Sequence, residues 1–162
     1  MRDNILDSDC LVLVNTTNIQ GVMGAGLAKQ FAQRFPKMYE AYKLECAMGG
    51  SHRLREMLFY HDKDSGKIIC NFPTMERPGM RADIRDIEEG LRDLRRAIMT
   101  SKDCDFLPTI TSIAVPALGC GIGRLPWPKV EKLIHHWIGH LNGLRVDIYP
   151  PEGAKYTYGK SE

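Results

Sequence analysis

Twice in 162 residues, a short unbroken apolar run passes through a glycine-rich stretch into an amphipathic one. The first run, Cys10-Leu11-Val12-Leu13-Val14, leads through Gln20-Gly21-Val22-Met23-Gly24-Ala25-Gly26 to Leu27, Phe31 and Phe35, spaced i, i+4, i+8. The second, Thr111 to Val115, leads through Gly119-Cys120-Gly121-Ile122-Gly123 to a helix expected over Pro128 to His140. A strand that is apolar without alternation has both faces covered, and a following helix with one apolar stripe is what covers it. This restricts the chain to an α/β class in which glycine-rich loops leave the C-terminal ends of strands.

The remaining elements fill in that scheme. Pro36 restarts the chain as a second helix at Met38-Tyr39-Glu40-Ala41-Tyr42, and Gly49-Gly50 ends it. Met57 to Tyr60 reads as a strand, Asp64-Ser65-Gly66 as a turn, and Lys67 to Phe72 as the return strand. Pro73 to Met80 is a loop. Asp83 caps a long helix reaching Thr100, with Ile84, Ile87, Leu91, Leu94 and Ile98 on one face. Leu144 to Tyr149 is the last strand, and 151–162 is expected to be a polar tail beyond a single domain of residues 1–150.

Composition excludes several functions. A net charge of +2 provides no global field for nucleic acid, although a local basic patch is compatible with it. The five cysteines are odd in number, with no C-x-x-C pair, so a reduced cytoplasmic protein without disulfides or structural zinc is expected. No apolar run approaches the ~20 residues of a membrane span.

The chemistry lies in the two loops. Glycines let backbone N–H groups turn towards a phosphate, and a helix starting just after the loop adds its positive end. Two such loops on neighbouring strands suit a diphosphate held between them. Neither is a P-loop, and neither has the G-x-G-x-x-G spacing of a dinucleotide fold. Asn15 and Asn18 end the first strand; their amides either hold sugar hydroxyls or cap the turn.

Together, Leu11-Val12-Leu13-Val14-Asn15-Thr16-Thr17-Asn18, the first loop, and Val115-Pro116-Ala117-Leu118-Gly119-Cys120-Gly121-Ile122-Gly123 resemble the macrodomain family. Gly21 to Ala28, Phe35-Pro36, Asn71-Phe72-Pro73-Thr74 and Asp86 to Leu91 are similar to its branch of terminal ADP-ribose protein glycohydrolases and DarG-type macrodomains, which remove ADP-ribose from DNA bases. The resemblance implies a three-layer α/β/α sandwich with a central mixed sheet and a truncated first strand, and ADP-ribose as ligand or product with no cofactor. It implies that Asn18 contacts the distal ribose, that Gly24, Ala25 and Gly26 line one side of the diphosphate and Gly119 to Gly123 the other, and that Tyr149 packs on the adenine. Ile5, Asn15, Leu27, Thr74, Pro116, Leu118 and Cys120 complete the implied ligand-binding set.

The sequence departs from that pattern in three places. Asn4 stands where macrodomains carry the aspartate that accepts from the adenine amino group. Met75 stands where the DarG-type branch has a lysine acting on the distal ribose carbon. Gly123 stands where the protein glycohydrolase has an acid. Glu76, with Arg77 and Arg81 in the same loop, is the candidate replacement base, the alternative being a solvated charged loop. His52 and His61 are further titratable candidates. Cys120 reads as a packed thiol, and His135, His136 and His140 lack the ligand set of a metal site. Lys29, Arg34, Lys37, Arg53 and Arg55 either line an approach for nucleic acid or form a solvated helix face.

The leading expectation is a monomeric hydrolase, with Asn18 and Glu76 as catalytic candidates, that removes ADP-ribose from a modified macromolecule, DNA included. The alternatives are an ADP-ribose 1″-phosphate phosphatase and a reader that binds without cleaving.

Overall fold

In the computed structural model, which describes residues 3–48, 54–105 and 107–159, the first apolar run forms the middle of a sheet. Strand β1 (Val12–Asn18) turns Val12 and Val14 to one face and Leu13 to the other, and all three are fully buried. Period-two alternation with apolar residues in both phases requires cover on both sides. Helices α1 (Gly26–Arg34) and α2 (Pro36–Ala47) cover the Leu13 face, and α3 (Ile84–Thr100) and α4 (Trp127–Ile138) the other. The expected three-layer α/β/α sandwich is therefore the observed fold.

Strands β2 (Leu58–His61), β3 (Ile68–Met75), β4 (Ser112–Pro116), β5 (Arg145–Tyr149) and β6 (Tyr156–Tyr158) complete a six-stranded sheet of order β2-β3-β1-β4-β5-β6. The four inner strands are parallel and the two edge strands antiparallel. No helix is long and apolar enough to cross a membrane among the described residues.

Several boundaries differ from the sequence expectation: β1 runs from Val12 on to Asn18, and α2 begins at Pro36. Strand β3 runs through Pro73 to Met75 instead of stopping at Phe72. Its antiparallel neighbour β2 begins at Leu58, opposite Asn71, so β3 is unpaired on that side at Pro73 and the missing N–H is tolerated. Helix α4 starts at Trp127 and stops at Ile138, with Gly139 as its C-cap. The polar stretch after Pro150, expected to lie outside the domain, adds β6 to β5 and covers the edge that a truncated first strand would leave open. What holds β6 is tertiary. Thr157 Oγ1 donates to Asp147 Oδ1 at 2.8 Å, Lys155 Nζ lies 3.7 Å from Asp147 Oδ2, the Tyr156 hydroxyl donates to Glu131, and the Tyr158 ring packs 4.4 Å from that of His135. Gly49, Gly50, His52 and Arg53 lie outside the described residues.

Asp83 caps α3 as expected, its side chain accepting from Arg85 N at 2.9 Å. The helix packs on β3 at Gly90, where an added Cβ would lie 2.5 Å from Cζ and 2.7 Å from Cε1 of the fully buried Phe72. Alanine at a mid-helix glycine ordinarily gains about 1 kcal/mol. Here the ring has nowhere to move, and overpacking of this kind costs about 1–3 kcal/mol or more. Gly90→Ala is therefore expected to lower the denaturation midpoint despite its helix propensity; a raised midpoint in a urea melt would contradict this packing.

Candidate functional site

The chain leaves β1 towards one face of the sheet, into α1, and leaves the adjacent β4 towards the other, into α4. Neighbouring parallel strands whose connections part in this way leave a crevice at their C-terminal ends. A cavity of about 790 Å³ fills it, within the range of small-molecule sites. Its floor crosses the ends of four strands, from Met75 on β3 past Asn18 on β1 and Pro116 on β4 to Tyr149 on β5. Three strand spacings make this span about 14 Å, room for an elongated ligand.

The first loop is built around Asn18. Its Nδ2 donates to Val22 O at 2.8 Å, and its Oδ1 accepts from Gln20 N at 3.0 Å and Val22 N at 3.4 Å. The buried Tyr42 hydroxyl donates to the Asn18 carbonyl and fixes the strand end from below. Gly21, at φ 86°, lies against α2, where a Cβ would come 3.0 Å from Cys46 Cβ. Ala25, the N-cap of α1, has no side-chain acceptor to offer, so the first N–H groups of that helix face the cavity uncapped.

The second loop folds on itself. Cys120 N donates to Ala117 O at 3.1 Å, Arg124 N to Gly121 O at 3.0 Å and Leu125 N to Gly119 O at 2.9 Å. The N–H groups of Gly121, Ile122 and Gly123 have no acceptor among the described residues. The loop is tied to the start of α3 by Ala82 N donating to Gly123 O at 3.0 Å. Two sets of free N–H groups thus face each other across the cavity, as an anion with several acceptor oxygens needs.

At the far end, Tyr149 is 9% exposed and lines the cavity beside Asn4 and Ile5. Burial raises its hydroxyl pKa, so the ring is neutral at pH 7. The Asn4 side-chain oxygen already accepts from Leu6 N at 3.0 Å, capping a short 3-10 turn. Burial pushes the Cys120 thiol up to about 11, which keeps it protonated at neutral pH and argues against a nucleophile.

Most residues singled out in the sequence line this cavity: Asn4, Ile5, Asn18, Gly24, Ala25, Gly26, Leu27, Thr74, Pro116, Gly119, Cys120, Gly121, Ile122, Gly123 and Tyr149. Three do not. Asn15 is fully buried beneath the floor, where its Nδ2 donates to Asn71 Oδ1 at 3.2 Å; the two are register partners on β1 and β3. Leu118 points into the core. Glu76 is exposed and outside the cavity, as are Arg77 and Arg81. His61 lies on edge strand β2 beside Lys63, away from the cavity. His135 packs between His140 and Tyr158. Of the basic residues considered as an approach, Arg34, Lys37 and Arg55 are paired with Asp7, Asp64 and Asp86.

Sequence reasoning missed Thr16, Thr17, Val22, Pro78, Gly79, Pro150 and Pro151 as lining residues. The two prolines after Tyr149 were the available signal for a rigid wall there. The one other cluster of ligand-type side chains found among the described residues, Asp9, Cys10 and Asp147, is filled by Arg145. That guanidinium donates to Asp9 and, at 3.3 Å, to Cys10 Sγ.

A family model described as "Macro domain" matches residues 14–134. A curated DNA ADP-ribosyl glycohydrolase of Thermus aquaticus is 37% identical over 154 residues, covering 93% of this chain and 40% of that protein. The chain thus spans less than half the length of that relative. Among solved structures, the macrodomain of Mycobacterium tuberculosis DarG is 35% identical with a TM-score of 0.85, covering 94% of this chain and 96% of that one. Thermosipho africanus DarTG in complex with ADP-ribose is 28% identical with a TM-score of 0.80, covering 91% and 40%.

Proposed function

This chain belongs to the Macro domain family, and from that premise we propose that its cavity binds the ADP-ribose group of an ADP-ribosylated macromolecule, with DNA as the carrier, and releases it by hydrolysis. The observation that carries the reading is the pair of loops offering free N–H groups from opposite sides of a cavity long enough for a nucleoside diphosphate sugar. In that pose the diphosphate lies between Gly24–Gly26 and Gly121–Gly123, the adenine lies against Tyr149, and the distal ribose lies beside Asn18 and Met75. Relatives named as DNA ADP-ribosyl glycohydrolases support the reaction class.

The described residues lining the cavity include Asp3, Cys120 and Tyr149 as their titratable groups, and burial keeps the Cys120 thiol and the Tyr149 hydroxyl protonated at neutral pH. Hydrolysis here therefore rests on positioning. The loops hold the ligand, Asn18 orients the distal ribose, and an attacking water breaks the bond to the carrier. A second reading, retention without cleavage, is favoured by Met75 and by the exposed position of Glu76.

One sample separates the two. Calorimetry with free ADP-ribose is expected to give one site per chain, and incubation with an ADP-ribosylated oligonucleotide to release ADP-ribose slowly. Glu76→Ala is expected to leave that rate within about twofold, since its side chain stays outside the cavity. Binding without release establishes the reader. No binding of ADP-ribose removes both readings.

A further inference from the structure

Ten arginines lie among the described residues, and six of them, Arg34, Arg55, Arg85, Arg92, Arg96 and Arg145, are in ion pairs. Three of the remaining four are Arg77, Arg81 and Arg124. All three are exposed, and their guanidiniums have no ion pair or hydrogen bond to any described residue. They occupy two loops that touch: Ala82, next to Arg81, donates to Gly123, next to Arg124. Arg77 lies between Met75 and Pro78, both of which line the cavity at the β3 end. Arg124 is held at φ 62°, a left-handed conformation uncommon for a non-glycine residue, by the same turn that shapes the second loop. The nearby acids are the exposed Glu76, and Asp83, which is itself paired with Arg85.

We propose that Arg77, Arg81 and Arg124 form a rim that binds the phosphodiester backbone flanking an ADP-ribosylated nucleotide. This rests on the ADP-ribose reading above. The distal ribose, which carries the linkage to the macromolecule, comes out at the β3 end of the cavity, so the carrier must pass these loops. Unpaired guanidiniums there favour a polyanion with phosphates a few ångströms apart over a neutral or mixed-charge polypeptide. The pattern also explains how a chain of net charge +2 can address nucleic acid: the other arginines are mostly neutralised by their own neighbours, and the free ones are concentrated at one mouth.

The test compares free ADP-ribose, an ADP-ribosylated single-stranded oligonucleotide and an ADP-ribosylated peptide, with affinity taken from KM where the probe is turned over and from anisotropy where it is not. The wild type is expected to prefer the oligonucleotide to free ADP-ribose by more than about tenfold at low salt. The logarithmic salt slope is expected near −2, about −0.7 for each of three phosphates. The triple variant Arg77→Gln/Arg81→Gln/Arg124→Gln is expected to bind free ADP-ribose as the wild type does and to lose most of both the preference and the slope. Equal affinity of the wild type for oligonucleotide and peptide, or an unchanged slope in the variant, overturns the rim. Failure of the wild type to bind free ADP-ribose overturns the reading beneath it instead.

Discussion

Met75→Lys is expected to raise the release of ADP-ribose from ADP-ribosylated DNA by about 100-fold or more, the scale of a general acid or base placed at a reacting bond. Met75 is the last residue of β3, is half-buried, lines the cavity, and is the register partner of Asn18. It thus stands at the end where the distal ribose lies in the proposed pose, at the position where the sequence resemblance implies a lysine in the DarG-type branch. A lysine is one atom longer than the methionine it replaces, so its stem can cover the same apolar wall while the amine reaches the opening. Met75→Leu, which keeps the bulk without the amine, is the control and is expected to leave the rate unchanged. Both are measured with labelled oligonucleotide and separation of product. Equal rates for the two variants would mean that the chemistry at this end does not depend on the residue at 75.

Gly123→Ala is expected to weaken ADP-ribose binding by more than about 100-fold and to lower the thermal midpoint as well. An added Cβ would lie 2.7 Å from Gly119 O and 2.8 Å from Ala82 Cβ. Non-bonded carbons prefer about 3.5–4.0 Å, and the nearest atom is backbone within the same loop, so relief requires opening it. Opening breaks the Ala82 to Gly123 and Leu125 to Gly119 hydrogen bonds, which aim the free N–H groups of Gly121 to Gly123 across the cavity. Gly121→Ala is the contrast: nothing lies within 4 Å of its added Cβ, so the fold keeps its midpoint. Calorimetry and a thermal melt on both variants read the difference, and equal binding losses with equal midpoints would refute the steric argument. The same geometry bears on the acid that the sequence resemblance implies for the protein glycohydrolase at this position. No side chain fits at 123 in this loop, so an acid cannot be restored by Gly123→Asp without rebuilding the turn.

Much of the site was legible because its ingredients are local. Gly24-Ala25-Gly26 and Gly119 to Gly123 are contiguous, each sits between a strand and a helix, and a loop between two such elements has little choice but to crown the strand end. Asn15 was misread for a reason equally local: it lies three residues from Asn18 on the same strand, and only the packing of Met23 above it and Asn71 beside it places one amide beneath the floor and the other in the cavity. Glu76 was a plausible base while its loop was a string of letters. The loop's path leaves Met75, Pro78 and Gly79 facing the cavity and carries Glu76 to solvent.

The α/β class, the continuous apolar strands, the capped helix from Asp83 and two loops fit for phosphate could all be read from the order of residues. All of these follow from periodicity and from glycine's freedom over spans of a few residues. The tertiary structure alone decided which charges are neutralised, which of two neighbouring asparagines meets a ligand, and that the polar stretch Tyr156–Tyr158 is a strand at all. Most of those depend on partners distant in the chain, such as Glu131 for Tyr156 and Asp86 for Arg55, whereas Arg92 and Arg96 pair with acids one helical turn back on α3. Beyond pairs one helical turn apart, an ion pair or an edge strand is worth little until folding has brought its partner within a few ångströms, and the spacing of residues along the chain does not encode that distance.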